Sequence, residues 1–293
     1  MEFNGNTELY GFIAHPAHHS LSPLMHNLSF QKRKINACYL AFDIQPPNFA
    51  TIAASFRAWG LSGANVSMPY KQQFIPYLDE LTPRAQRINA VNTIKNTQGR
   101  LTGDSTDGAG LFADLKARGF KTHGKTAMIL GAGGAGRAII AAAADYNLQK
   151  VFVCKRPNQT FAQTAAWLET LKQQTETDFE LLNYQDSEKI ATCLQESELL
   201  VNATNVGMDQ QHLPLAATIL SSLSQKQFVY DIIYQPLETP LLKLAAAHGC
   251  QCSNGIGMLL WQGALAFEFW TGQTMPVTSV KQALLAEIRR RTI

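Results

Sequence analysis

Apolar residues along this chain fall into short runs separated by stretches of helical spacing, and that order repeats through most of its length. Residues 8–14, ELYGFIA, are rich in aromatic and β-branched side chains and predict a first strand. After a polar loop at 15–21, Ser22-Pro23 reads as the N-cap and first position of a helix reaching about Lys34. Residues 38–44 predict a second strand, 48–59 a helix stopped by Gly60, and 63–67 a third strand ended by Met68-Pro69. Pro69-Tyr70-Lys71 opens a helical turn that Pro76 interrupts, and Thr82-Pro83 starts another short helix. Residues 90–102 predict a hairpin turning at Thr97-Gln98-Gly99. Gly103 to Asp107 then leads into a helix with apolar positions at Leu111, Phe112 and Leu115, closed by Gly119. Short connections between strands and helices make this part an α/β layer on a mainly parallel sheet.

The pattern sharpens at Thr126-Ala127-Met128-Ile129-Leu130-Gly131-Ala132-Gly133-Gly134-Ala135-Gly136. An apolar strand, a glycine turn and an alanine-rich helix follow one another, which is the order of a dinucleotide-binding fingerprint. Gly131 permits the tight turn, Gly133 lets backbone N–H groups approach a pyrophosphate, and Gly136 lets helix and strand pack closely. Strands at 151–154, 179–182, 199–202 and 228–232 alternate with helical stretches, the doubly wound pattern of a Rossmann-type domain. A helix at 238–249 and a long apolar helix at 259–270 complete the pattern. The expected division is discontinuous: residues 1–106 with 255–293 form a substrate-binding α/β domain, and 107–254 the dinucleotide domain.

Composition narrows the classes without changing this picture. A chain of 293 residues, 46% hydrophobic and 16% charged, is long enough for two globular domains. A net charge of +3 gives no basic stripe of the kind nucleic acid requires. No run of about 18 apolar residues predicts a membrane span, and the N-terminus lacks the pattern of a signal peptide. Five irregularly spaced cysteines read as reduced thiols of a cytoplasmic protein. His15, His18, His19 and His26 share no helical face and have no acid among them, so they read as a polar loop with no metal site expected.

Several residues could carry chemistry. Lys71 is either a solvated lysine, awkwardly placed near a helix start, or a group exchanging a proton with an alcohol or carbonyl oxygen. Asp107 is either an N-cap or a carboxylate that accepts a substrate hydroxyl and holds Lys71. Ser20 and Ser22 are turn and cap hydroxyls or donors to a carboxylate. Gln262, on an apolar helix, needs partners from the backbone or from a ligand. The acid expected about 20 residues beyond the glycines, which would bind a ribose hydroxyl, is missing. Cys154-Lys155-Arg156-Pro157 stands there instead, and its two cations favour a 2′-phosphate, hence NADP(H) over NAD(H).

Together these stretches resemble the shikimate dehydrogenase family over nearly the whole chain. His18-His19-Ser20-Leu21-Ser22-Pro23 with His26-Asn27 is similar to its substrate loop HSxSPxxHN. Asn65-Val66-Ser67-Met68-Pro69-Tyr70-Lys71 is similar to NVTxPxK, with serine for threonine, and Ala90-Val91-Asn92-Thr93 matches AVNT. Gly103 to Asp107 resembles GDNTD with Ser105 for asparagine, and Asn202-Ala203-Thr204, Asp231 to Tyr234 and Gly255 to Gln262 resemble the remaining signatures.

The resemblance implies reversible hydride transfer between 3-dehydroshikimate and NADPH, with Lys71 and Asp107 as the acid/base pair. It places Ser20 and Ser22 at the substrate carboxylate, and Ser67, Asn92, Tyr234 and Gln262 at the ring hydroxyls and the cleft. It puts Gly131, Ala132, Gly133, Gly134, Ala135, Gly136, Cys154, Lys155, Arg156, Thr204, Ile232 and Gly255 at the cofactor. Residues 258–264 and Ser67-Met68-Pro69 look closer to the quinate/shikimate branch, which often carries an acid after the second strand and uses NAD readily. Here Pro157 stands near that acid's place and Cys154 replaces the branch's usual asparagine. Quinate as a substrate, a paralogue acting on a related hydroxy acid, and a nucleotide-sensing binding protein are the alternatives. Retention of Lys71 and Asp107 argues against the sensor. A homodimer is left open.

Overall fold

The computed structural model describes residues 3–292. The chain forms two compact units: one runs to Gly110 and resumes at Leu260, the other spans Leu111–Leu259.

The first unit is built on β1 (Glu8–Ala14), α1 (Ser22–Arg33), β2 (Ala37–Asp43), α2 (Phe49–Ser55), β3 (Gly63–Val66), β4 (Glu80–Leu81), α3 (Pro83–Ile88), β5 (Thr93–Thr97) and β6 (Arg100–Asp104). Its six-stranded sheet has the order β2-β1-β3-β5-β6-β4. β1 pairs in parallel with β2 and β3, and β4 pairs in parallel with β6. The hairpin β5–β6 introduces the antiparallel pairs, so the sheet is mixed. Gln98 and Gly99 both have positive φ, which makes the two-residue turn whose twist matches the strands. On one face lie Phe49, Phe56, Tyr70, Phe74 and Leu101, all buried.

The second unit carries β7 (Thr126–Leu130), α5 (Gly134–Asp145), β8 (Lys150–Lys155), α6 (Phe161–Gln174), β9 (Asp178–Asn183), α7 (Ser187–Glu196), β10 (Leu199–Asn202), α8 (Ala217–Leu220), β11 (Phe228–Asp231), α9 (Pro240–Ala247) and β12 (Gln251–Ser253). All six strands are parallel in the order β12-β11-β10-β7-β8-β9. The order reverses between β7 and β10, the switch point beside which doubly wound sheets bind their ligands. The chain leaves the first unit within α4 (Asp107–Ala117) and returns within α10 (Ile256–Thr271), followed by α11 (Val277–Thr292). Among the described residues no helix is long and apolar enough to cross a membrane.

Several local expectations change. Ser22 is the first helical residue, and Leu21 stands at the N-cap with no side-chain cap bond. The Ser20 hydroxyl takes over that task, accepting from the Ser22 N–H at 3.2 Å. Residues 48–59 divide into a 3₁₀ turn at Pro46–Asn48, the short α2 and a run of turns. No helix forms at Pro69: Lys71 lies in turns, and Pro76 sits inside the 3₁₀ turn Ile75–Tyr77 instead of breaking a helix. The apolar helix begins at Ile256, three residues before the hydrophobic run suggests, because Asn254 accepts from the Ile256 N–H through its side chain.

Candidate active site

Sequence order places Lys71, Asn92, Asp107 and Gln262 on four separate segments, and the first unit brings them together. Lys71 Nζ donates to Asp107 Oδ2 at 2.5 Å, with only 17% and 11% of the two side chains exposed. The other carboxylate oxygen, Oδ1, accepts from Asn92 Nδ2 at 2.9 Å. Asn92 is itself fixed: its Oδ1 accepts the Thr106 N–H at 2.8 Å, and its amide nitrogen lies 3.3 Å from Gln262 Oε1. The carboxylate of Asp107 is therefore occupied by a cation and an amide, and does not cap the helix that it opens. Every polar group of the set has a partner before any ligand arrives, which a partly buried charge pair requires.

Backbone packing explains why these residues meet. The Val91 N–H donates to the Lys71 carbonyl at 2.9 Å, holding the lysine turn against the segment that carries Asn92. Asp104, nearly fully buried, accepts from Thr82, Arg84 and the Ser105 N–H, and so pins the turn leading to Asp107. A Cβ on Gly110 would lie 2.6 Å from the Gln262 backbone nitrogen, so the absence of a side chain there is what lets α4 and α10 approach.

A second polar chain runs from this group into the sheet. The Asn65 amide donates to the Asn92 carbonyl at 3.2 Å, and the Tyr39 hydroxyl donates to Asn65 Oδ1 at 2.8 Å. Ser22 is buried, with 5% of its surface exposed. Ser67 is held through its backbone, donating to Ile13 and accepting from Tyr70. His26 stacks on Tyr39 with ring centroids 4.5 Å apart and is fully buried. Neither ring nitrogen has a hydrogen-bond partner of ordinary geometry. Burial lowers its pKa to about 3, against a weaker opposing influence of Asn65, so the ring is neutral. His15 Nδ1 and His18 Nε2 contact Asp43 at 2.6 and 2.8 Å, tying the loop that carries Ser20 to the end of β2. The acid missing among these histidines in sequence is thus supplied by tertiary structure. The hydrogen bond from His15 leads in holding the Asp43 carboxyl below its usual range.

In the second unit the glycines divide by role. Gly131 has φ +95°, and a Cβ there would lie 2.8 Å from Thr204 Cγ2; a Cβ on Gly136 would lie 2.2 Å from the Gly131 carbonyl. Gly133 meets nothing within 4 Å. It is also the N-cap of α5 and offers no side-chain cap, so no side chain at that position takes up the N–H groups of the first turn. This arrangement fits a pyrophosphate. Thr204 donates to Asn202 Oδ1 at 2.7 Å, which fixes it beside Gly131 at the switch point. Gly255 has no room for a Cβ, which would lie 1.9 Å from the Ile232 carbonyl, so those two backbones touch. Tyr234 lies in this unit, half-buried in the irregular segment after β11.

Cys154 turns its thiol into the core, where burial pushes the pKa up to about 12. What it offers the glycine turn is its carbonyl, which accepts the Gly131 N–H at 2.9 Å. Lys155 is partly buried and Arg156 exposed. Asn65, Tyr39, Thr106 and Arg137 are functional candidates that the sequence reading did not single out. Asn65 stood inside a quoted motif, whereas the partners of Tyr39 are far away in sequence and left no signal.

Known proteins match the chain over nearly its whole length. The family model for the shikimate dehydrogenase substrate binding domain matches residues 12–94, and that for the shikimate 5'-dehydrogenase C-terminal domain matches 255–285. A shikimate dehydrogenase (NADP(+)) of Streptococcus sanguinis is 42% identical over 97% of this chain and 98% of its own. The crystal structure of shikimate 5-dehydrogenase from Listeria monocytogenes, in complex with shikimate and NAD, superposes with a TM-score of 0.92 at 40% identity, covering 97% of this chain and 98% of that one. The Thermus thermophilus enzyme in complex with NADP(H) and shikimate gives 0.82 at 33% identity, over 97% and 99% of the two chains. With 42% identity extending over 97% of its length, the chain belongs to the shikimate dehydrogenase family.

Proposed function

We propose that the protein is a shikimate 5-dehydrogenase, reducing 3-dehydroshikimate to shikimate reversibly with NADPH in the pathway towards aromatic amino acids. The observation that carries this reading is the contact of Lys71 with Asp107, partly buried and held from the other side by Asn92. The first unit supplies the substrate site and the second the cofactor site. When bound, the reduced nicotinamide supplies the hydride that reaches the carbonyl carbon. The Lys71 ammonium gives a proton to the carbonyl oxygen, so that an alcohol forms without a free alkoxide. Asp107 keeps the ammonium oriented before transfer, and in the reverse direction Lys71, as the neutral amine, takes the hydroxyl proton back. Asn92 and Gln262 hold the carboxylate and a ring hydroxyl in register, and Ser20, Ser22 and Ser67 hold the rest of the substrate. Gly131 to Gly136, Thr204, Ile232 and Gly255 hold the dinucleotide through backbone groups and close packing.

Purified protein assayed with shikimate and with quinate, each against NAD and NADP, tests the reading. Shikimate with NADP should give the highest kcat/KM. Absence of turnover with all four pairs would overturn it.

A further inference from the structure

Charges in the second unit are treated differently at the two ends of its sheet. At the start of β8, Lys150 lies 3.0 Å from Glu180 and 3.6 Å from Asp178, and Lys189 lies 3.1 Å from Glu180. Lys125, just before β7, lies 2.7 Å from Glu198. Cations at this end are neutralised. At the other end stand Lys155, the last residue of β8, then Arg156, and Arg137 in the second turn of α5. Among the described residues none of these three makes an ion pair within 4 Å. The register of β7 and β8, with Leu130 opposite Cys154, sets Lys155 beside the glycine turn.

Arg137 is the unusual member. The centre of its guanidinium lies 3.9 Å from the Trp167 ring centroid, and its Nε is buried with no partner. Burial lowers its pKa, and Lys155 is lowered by its own burial first and then by the charge of Arg137. Two partly desolvated cations are thus held within each other's field and without a carboxylate, an arrangement that costs stability unless an anion joins it. Stacking on Trp167 orders a planar, five-donor group before a ligand arrives, which lowers the entropy lost on binding. The anion that suits it is a phosphate monoester, which takes two parallel N–H bonds from one guanidinium.

Building on the reading of this unit as the dinucleotide domain, we propose that Arg137, braced by Trp167 and backed by Lys155, is the main determinant of selectivity for the cofactor 2′-phosphate. The exposed Arg156 is secondary, because a solvated side chain gains little from a screened charge pair.

Calorimetric titration of NADP, NAD, adenosine 2′,5′-bisphosphate and AMP into the wild-type protein and Arg137→Gln tests this without turnover. Charge-assisted hydrogen bonds of this kind correspond to about a 10- to 100-fold change in Kd. NADP and adenosine 2′,5′-bisphosphate should weaken by that factor, with NAD and AMP within about twofold of wild type. Equal weakening of NADP and NAD, or wild-type affinity for NADP, would overturn the proposal, as would a wild-type protein that binds NAD more tightly than NADP. Should Arg137→Gln fail to fold, Arg137→Lys decides: it keeps the charge and stem but loses the planar fork. It should lose affinity for NADP while keeping that for NAD, and no change would overturn the assignment. Arg137-dependent binding of NADP by a protein inert towards shikimate would remove the proposed function and leave this inference standing. Turnover of shikimate with an NADP preference that survives Arg137→Gln would do the reverse.

Discussion

The lysine–aspartate group of the first unit and the glycine turn of the second are both candidate sites, yet they are finished to different degrees. Around Lys71 and Asp107 the charged and amide groups already have partners within the protein. Around Gly133 and Arg137 an open helix start and unpaired cations remain. The contrast follows from the two tasks. Proton transfer needs donor and acceptor held to a fraction of an ångström before the substrate comes, so the protein supplies the whole network. Holding a large anionic ligand needs unsatisfied donors, because a donor already paired inside the protein gives nothing on binding.

The largest effect that could break this comparison is on the chemical step. Lys71→Ala should lower kcat by about 10²- to 10⁴-fold, with a smaller change in KM for shikimate. Steady-state rates near wild type would remove Lys71 from the mechanism.

The glycines give the next test, since one unit contains both a tightly packed position and an open one proposed to face the ligand. Gly136→Ala forces a Cβ against the Gly131 carbonyl and should cost about 1–3 kcal/mol, read as a fall in urea midpoint. Gly133→Ala meets open space and only exchanges one N-cap residue for a poorer one, so its midpoint should fall less than that of Gly136→Ala while the Kd for NADP rises. A variant of Gly133 that binds NADP normally would show that this open space is not where the pyrophosphate rests.

His26 sharpens the account of the first unit. Its folded pKa, about 3, lies below the ordinary value of 6.5, so the neutral ring is what the fold stabilises. The contribution is complete above pH 6.5 and is lost as pH falls from there towards 3, at roughly 1.4 kcal/mol per pH unit. His26→Phe removes the titration, and its urea midpoint should fall less between pH 7 and pH 5 than that of wild type. Parallel curves would mean that His26 does not govern acid stability. The smallest expected change is Arg156→Gln, which should alter the Kd for NADP by no more than about threefold because the charge is solvated. A larger loss than that of Arg137→Gln would reverse the ranking of the two arginines.

The strands β1, β7 and β10, the hairpin turn, the Thr82 cap and the glycine fingerprint were legible in the chain because each depends on neighbours a few residues away. Helix starts were less so: Ser22 looks like a cap in isolation, but the cap position passes to Leu21 once Ser20 bonds to the Ser22 N–H. In the sequence Lys71 stands out as a cation opposing a helix dipole, but no helix exists there; what makes it notable is Asp107, 36 residues on. Arg137 drew no attention beside the glycines because its partner ring, Trp167, lies on the following helix.

By itself the sequence determined the alternation of elements, the glycine turn and, through matching motifs, the family and the choice of Lys71 and Asp107 as the candidate pair. Those features are written in local periodicity, in glycines that only one backbone shape requires, and in short strings of residues. Only the tertiary structure decided which polar groups are paired and which are left open. Pairing depends on side chains from distant segments meeting at hydrogen-bond distance, as Asn92 and Gln262 do across 170 residues, and no local pattern encodes that meeting.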